Sequence, residues 1–186
     1  MSKTFQAQRL DVAAFVQAHG VMTGSDRLQS YERLAPDIQA PGPDLMVNWR
    51  VQGESAKAAD GSVRPSLLLH VETELPLTCQ RCMGDLLEPV RLDQRFIFVP
   101  DEAMAEALDE DSDDDVLALT QELDVHALIE DELLMAIPLI PRHDACPEPV
   151  QLVSSDAGFD AAQADQPHPF AGLAALKAQG KPDKSS

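Results

Sequence analysis

The chain has 186 residues, 44% of them hydrophobic, which is enough for one domain with a sizeable core, and one core plus tails is the expected organisation. Against 32 acidic residues there are 14 Lys and Arg; the formal charge of -18 points away from unassisted binding to nucleic acid or anionic lipid, and a basic partner is its natural complement. The start lacks the apolar stretch of a secretory signal, no run approaches the roughly 20 apolar residues of a membrane helix, and three cysteines without secretory context point to reduced thiols in the cytoplasm.

Residues 10–20 carry the punctuation of a short helix: Asp11 caps it, Leu10 staples onto Phe15, Val12 and Val16 share the face of Phe15, and Gly20 closes it. A weaker helical segment follows at 27–34, until Pro36, Pro41 and Pro43 break the pattern. From Leu45 the period becomes two. Leu45, Val47, Trp49 and Val51 form one face of a strand, with Met46, Asn48 and Arg50 on the other. After a polar connection, Leu67, Leu69, Val71, Thr73 and Leu75 repeat the alternation against His70, Glu72 and Glu74. A third run sets Val90, Leu92, Phe96 and Phe98 opposite Arg91, Asp93 and Arg95. Three such runs predict an antiparallel sheet with one buried face.

Residues 101–115 hold nine carboxylates and no base, which predicts a solvated, mobile loop, with an electrostatic landing strip for a basic protein as the sharper alternative. Residues 123–137 form the strongest helix, capped by Asp124 and stopped by Pro138, with Val125, Leu128, Ile129, Leu133 and Ile137 as the stripe that covers the sheet. Glu130, Asp131 and Glu132 point in successive directions, and at least two of them are expected in solvent. The predicted fold is therefore α+β: a small antiparallel sheet with a CxxC hairpin tip, covered by one long helix and a short N-terminal helix, with an acidic loop and a flexible C-terminal tail. The domain spans 1–146, a linker 147–168, and a short C-terminal helix 169–180.

The segment LTCQRCMGD, residues 77–85, sits between the second and third strands. A dithiol redox catalyst needs its first cysteine at a helix N-terminus, and here a strand and Pro76 precede it. A CxxC turn at a hairpin tip lets both sulfurs converge on zinc, with Gly84 easing the backbone beyond it. Cys146 and His143 supply the missing pair, so Cys79, Cys82, His143 and Cys146 make a three-Cys, one-His set. The competing reading makes the thiols small packing residues in a buried turn. Arg81, between the cysteines, is placed to stabilise a thiolate. No Gly-rich phosphate loop, nucleophile elbow or paired-His metal motif is present, so no enzyme is predicted.

CQRC at 79–82 between two strands, EDELLMAIPLIPRH at 130–143 followed by Cys146, and PFAGLAALK at 169–177 together resemble the bacterial YceD family, the large ribosomal RNA subunit accumulation proteins. The resemblance implies a cytoplasmic, non-enzymatic factor in the accumulation or processing of large-subunit ribosomal RNA. Some relatives carry additional cysteine pairs that look metal-binding, where this chain has Cys146 alone, so the cofactor is zinc or none. The charge then favours protein contacts, in which the acidic face engages a basic ribosomal protein or rRNA-processing factor and the effect on RNA is indirect. Two alternatives stand beside it. Arg64, Arg81, Arg91 and Arg95 near the hairpin form one local patch, of which Arg81, Arg91 and Arg95 contact ribosomal RNA directly, or the chain is a zinc-binding or redox-responsive module.

Overall fold

The computed structural model describes residues 5–58, 60–148 and 158–159. The chain divides into a unit Met1–Glu148 and a unit Pro149–Ser186, and the fold below is that of the first. Apart from residues 147–148 and 158–159, the expected linker and the helix at 169–180 lie outside the described residues.

Five strands form one sheet in sequential order. β1 (Val21–Arg27), β2 (Met46–Lys57), β3 (Val63–Thr78) and β4 (Asp85–Val99) pair antiparallel, each with the next. β5 (Asp115–Ala118) then pairs parallel to β4. The expectation of a purely antiparallel sheet is thus corrected to a mixed one. Parallel neighbours need a crossover, and the acidic run supplies it. Residues 101–115 are not all loop: α2 (Glu102–Asp109) takes the first half, capped by the Asp101 carboxylate accepting from the Met104 N–H at 2.9 Å, and only 110–114 remain irregular before β5. Ala105 packs with Val99 and Val116 in a small second core. Alanine, methionine, leucine and glutamate are strong helix formers, and here that propensity outweighs the crowding of charge.

The expectation of one long helix is also overturned. The helix after the acidic segment, α3, spans 12 residues, Val125–Ala136, and the sheet's apolar face is shared among several short elements. Those are α1 (Val12–Gln17) and two 3-10 turns, Leu28–Ser30 and Glu32–Leu34, which replace the weaker helix expected at 27–34. Val12, Phe15 and Val16 of α1, Leu28, Tyr31 and Leu34 of the turns, and Val125, Leu128, Ile129 and Leu133 of α3 close over Val47, Val51, Leu67, Leu69 and Val71. Each such side chain fully buried contributes about 1.5–3 kcal/mol. The alternation read from β2 and β3 is the one observed, with Leu67, Leu69, Val71 and Leu75 all fully buried.

Polar contacts fix the short elements to the sheet. The carboxylate of Asp26 accepts from Trp49 Nε1 at 2.6 Å and from the Tyr31 hydroxyl at 3.2 Å, joining β1, β2 and the first turn. Glu130 and Glu132 are both buried, against the expectation that at least two of the three helix acids face solvent. Glu130 is buried because Arg33 holds it: the Arg33 backbone N–H donates at 2.6 Å and its Nε at 2.7 Å, while Nη1 reaches Asp131 at 2.6 Å. Ahead of α1, Leu10 and Leu123 exchange two backbone hydrogen bonds of 2.8 and 2.9 Å. At the other end of α1 the left-handed residue is His19 (φ 47°) instead of Gly20. Gly20 lacks a side chain for a different reason, since a Cβ there would run into the Phe15 ring.

Candidate metal centre

The β3–β4 hairpin ends at the pair Thr78 and Asp85, leaving residues 79–84, CQRCMG, as its turn. Cys79 N–H donates to Gly84 C=O at 2.9 Å and Met83 N–H to Cys79 C=O at 2.8 Å, so the turn closes on itself. The left-handed residue is Met83 (φ 59°), and Gly84 is not the one that needs conformational freedom. Beyond α3, Pro138 ends the helix because it has no N–H to give, and residues 138–148 fold back as a strap. Gln80 N–H donates to Pro141 C=O at 2.8 Å and ties the strap to the turn.

The strap carries His143 and Cys146 to the cysteine pair. The ligand atoms of Cys79, Cys82, His143 and Cys146 all lie within 4.8 Å of one another. Cys79 Sγ and Cys146 Sγ are 3.9 Å apart, and Cys82 Sγ is 3.5 Å from His143 Nδ1. All three thiols are free of disulfides. In a tetrahedral site with metal–sulfur bonds of about 2.3 Å and metal–nitrogen bonds of about 2.0–2.1 Å, the edges are about 3.8 Å between sulfurs and about 3.5 Å between sulfur and nitrogen. The Cys79–Cys146 and Cys82–His143 distances match those edges and the remaining pairs lie within 4.8 Å, so this Cys3His group can hold a metal ion.

The surrounding groups suit it to a cation. His143 Nε2 lies 3.0 Å from the carbonyl of Asp85, which can only accept, so Nε2 carries the proton and Nδ1 keeps its lone pair facing the sulfurs. Burial works against charge on Cys79, but the amide N–H groups of Cys82, His143 and Arg81 outweigh it and push the thiol down to about 5. At Cys82 the Gly84 amide lowers the pKa, while burial and the neighbouring sulfurs of Cys146 and Cys79 raise it, and the net effect is upward. One thiolate is favoured and a second, so close by, is resisted. A divalent cation removes that conflict. Arg81 supplies part of the counter-charge: its Nε is 3.1 Å from Cys146 Sγ, and its Nη2 donates to the His143 carbonyl at 2.7 Å and the Asp144 carbonyl at 3.3 Å.

The three arginines named from sequence do not converge. Arg81 is committed to the strap. Arg91 lies about 20 Å along β4 from the turn and Arg95 about 13 Å further, at about 3.3 Å per residue. Arg91 pairs with Glu72 at 3.3 Å and Asp93 at 4.0 Å, and Arg95 with Asp114 at 3.7 Å. Two features escaped sequence reasoning: the clamp that Arg81 makes on the strap, and the groove lined by residues 36–39 beside it. Only the position of Arg81 between the cysteines hinted at the first.

Residues 67–177 match the model of the family described as Large ribosomal RNA subunit accumulation protein YceD. That is more than half of the chain, and it runs from β3 through all four candidate ligands. The chain belongs to the YceD family. No solved structure matches it. The YceD description is that of an accumulation factor for large-subunit ribosomal RNA, and names no enzymatic step. In this YceD chain, among the described residues, no helix is long and apolar enough to cross a membrane.

Proposed function

We propose that this YceD protein supports accumulation of large-subunit ribosomal RNA as a non-enzymatic adaptor, that Cys79, Cys82, His143 and Cys146 hold one structural zinc ion, and that its working contacts are with basic protein. The family description supports the role in RNA accumulation. The sulfur and nitrogen spacings support zinc, which when bound supplies the positive charge and the fixed bonds that tie the strap to the hairpin. A site filled by four protein ligands leaves no open position for chemistry, as expected of a structural role.

The choice of protein over RNA rests on one observation. Arg81, Arg91 and Arg95, the bases that an RNA footprint would need, are each engaged by acids or by the strap within the chain. Each phosphate contact requires a Lys or Arg that releases counterions, and in a chain at -18 these three are already engaged within the fold.

Affinity capture at low and high salt, read by identifying the bound proteins and by crosslinking to ribosomal RNA, tests the reading. Basic ribosomal proteins or assembly factors retained at low salt and released at high salt are expected. RNA crosslinked to Arg81, Arg91 or Arg95 with no protein retained would overturn it.

A further inference from the structure

Where α3 stops, the chain leaves Met135 70% exposed, Leu139 100% and Ile140 69%. A lone exposed leucine is ordinary. Three large apolar side chains within six residues, on a segment held at both ends, are not. The strap leaves α3 at Pro138 and is tied to the turn by the bonds of Gln80 to Pro141 and Arg81 to His143, so Leu139 and Ile140 are presented on a ledge between the helix end and these ties.

Beside the ledge lies an open groove of about 590 Å³. It exists because β3 outruns β2. Their pairing stops at Glu72, so Leu77 and Thr78 have β4 on one side only. The other side is met by Gln39, whose N–H donates to Pro76 C=O at 2.7 Å and whose Nε2 donates to Thr78 Oγ1 at 2.8 Å. Ile38, Leu77, Leu134, Ile137 and Leu139 give the groove its apolar lining, and among the described residues Asp37 is the one charged group that lines it. Asp85 stands at the rim, 3.2 Å from Gln39 Nε2. Of the nearby cations, Arg33 is held by Glu130 and Asp131 and Arg81 by the strap, while Arg142 is the one base of residues 138–148.

We infer that this groove and ledge are the docking site for a basic segment of another protein, which lays aliphatic or aromatic side chains against Leu139 and Ile140 while its Lys and Arg meet Asp37 and Asp85. Charge selects this occupant. A second copy of a chain at -18 would bring acid onto acid, and an RNA strand would bring phosphate onto Asp37 and Asp85. The inference rests on the reading above that the contacts are with basic protein, and it names where they are made.

The test is a titration of the 15N-labelled full chain with three short synthetic peptides: a Lys-rich peptide carrying leucines, the same peptide with serine for leucine, and the leucine peptide with glutamate for lysine. Saturable shifts at the amides of Ile38, Gln39, Leu139 and Ile140 are expected with the first. Binding should be about tenfold weaker or more with the second and absent with the third. The double variant Leu139→Ser, Ile140→Ser alters only exposed side chains, so it should keep its metal content and melting midpoint and lose about tenfold or more in affinity for the first peptide. Equal shifts from both Lys-rich peptides, centred on residues 101–115, would overturn the groove and leave the proposed protein contacts standing. Shifts at the groove from a single-stranded RNA, or self-association lost in the double variant, would overturn it in favour of those occupants. Changes in the unbound double variant far from the groove would mean that the chain covers this face itself, and also overturn it. Failure of every peptide together with failure of low-salt capture would remove the functional reading as well.

Discussion

Arg81 and Cys146, 65 residues apart in sequence, meet at 3.1 Å from guanidinium Nε to Sγ. The bond to Cys146 and its charge, and less strongly Cys79 and Cys82, hold the guanidinium's proton more tightly than usual, against an opposing effect of desolvation. The exposed side chain between the cysteines is thus engaged by the Cys3His group and the strap. Arg81→Ala should weaken zinc retention by about 10–100-fold, as loss of a group supporting metal ligands typically does. Arg81→Lys, which keeps the charge and loses the fork of donors, should fall between. Competition with a chromophoric chelator measures this, and unchanged retention in Arg81→Ala would detach the arginine from the metal group.

Protein purified without added metal is expected to carry about one zinc per chain. Cys79→Ser should lose it, because Cys79 is fully buried at the centre of the group and a hydroxyl there cannot replace the thiolate. A ligand at about a hundredfold over its dissociation constant contributes about 2.7 kcal/mol, which for a domain of this size is roughly 5–10 °C in the melting midpoint. Chelation should lower the midpoint of the natural chain by that order and leave Cys79→Ser unmoved. Elemental analysis beside thermal melts decides it, and sub-stoichiometric zinc with no chelator effect would return the thiols to simple packing.

Glu132 should give the chain a pH signature of its own. Burial first, and then the charges of Asp115 and Asp131, raise its carboxyl above the ordinary glutamate value. A carboxyl that binds its proton more tightly when folded favours folding below its unfolded pKa, about 4.3, and that contribution is lost as the pH rises through the folded value. Glu132→Gln, neutral throughout, should therefore melt above the natural chain at about pH 7.5 and converge on it near pH 4. The comparison is a difference between two chains with the same metal group, so loss of metal in acid cancels. A midpoint below the natural chain at neutral pH would mean that the carboxylate is holding something in place.

On the edge strand β1, Gly24 lies opposite Trp49, and a Cβ there would collide with the indole. The ring cannot retreat without leaving Asp26, which accepts its N–H. Gly24→Ala should cost about 1–3 kcal/mol, read from the urea midpoint, with a change in native tryptophan fluorescence. An unchanged midpoint would mean that the indole is free to shift.

The long strands were legible where large residues are buried at alternate positions, as at Leu67, Leu69 and Val71; at the end of β4 burial is continuous, because Phe96 and Phe98 face the main core and Val99 the second one, against the expectation of one buried face. The caps at Asp11 and Asp124 were legible too, since each carboxylate does accept helix N–H groups, from Ala14 and from His126 and Ala127. β1 was not. As an edge strand it runs exposed and half-buried in turn, with Val21 52% exposed, and leaves no hydrophobic period to detect. α2 and β5 were hidden by counting carboxylates, because Ala105 is small and set among acids and Val116 opens an apolar run of only four residues directly after three aspartates. The four side chains of the metal group were readable by type and spacing. Their meeting was not, since it depends on a strap whose path is set by Gln80, Arg81 and Pro138 together.

The reciprocal pairing of Leu10 with Leu123 has a consequence for where this protein can be cut. The stretch that matches the family begins at residue 67, yet Leu10, Phe15, Val47 and Val51 belong to the same core as Leu69 and Ile129. Excising 67–177 would strip β2 from β3 along its whole paired length and bare a row of leucine and valine beside unpaired backbone, the condition that favours aggregation. The boundary of family likeness is thus no seam in the molecule, and a fragment chosen by it would come apart at its own hydrophobic face.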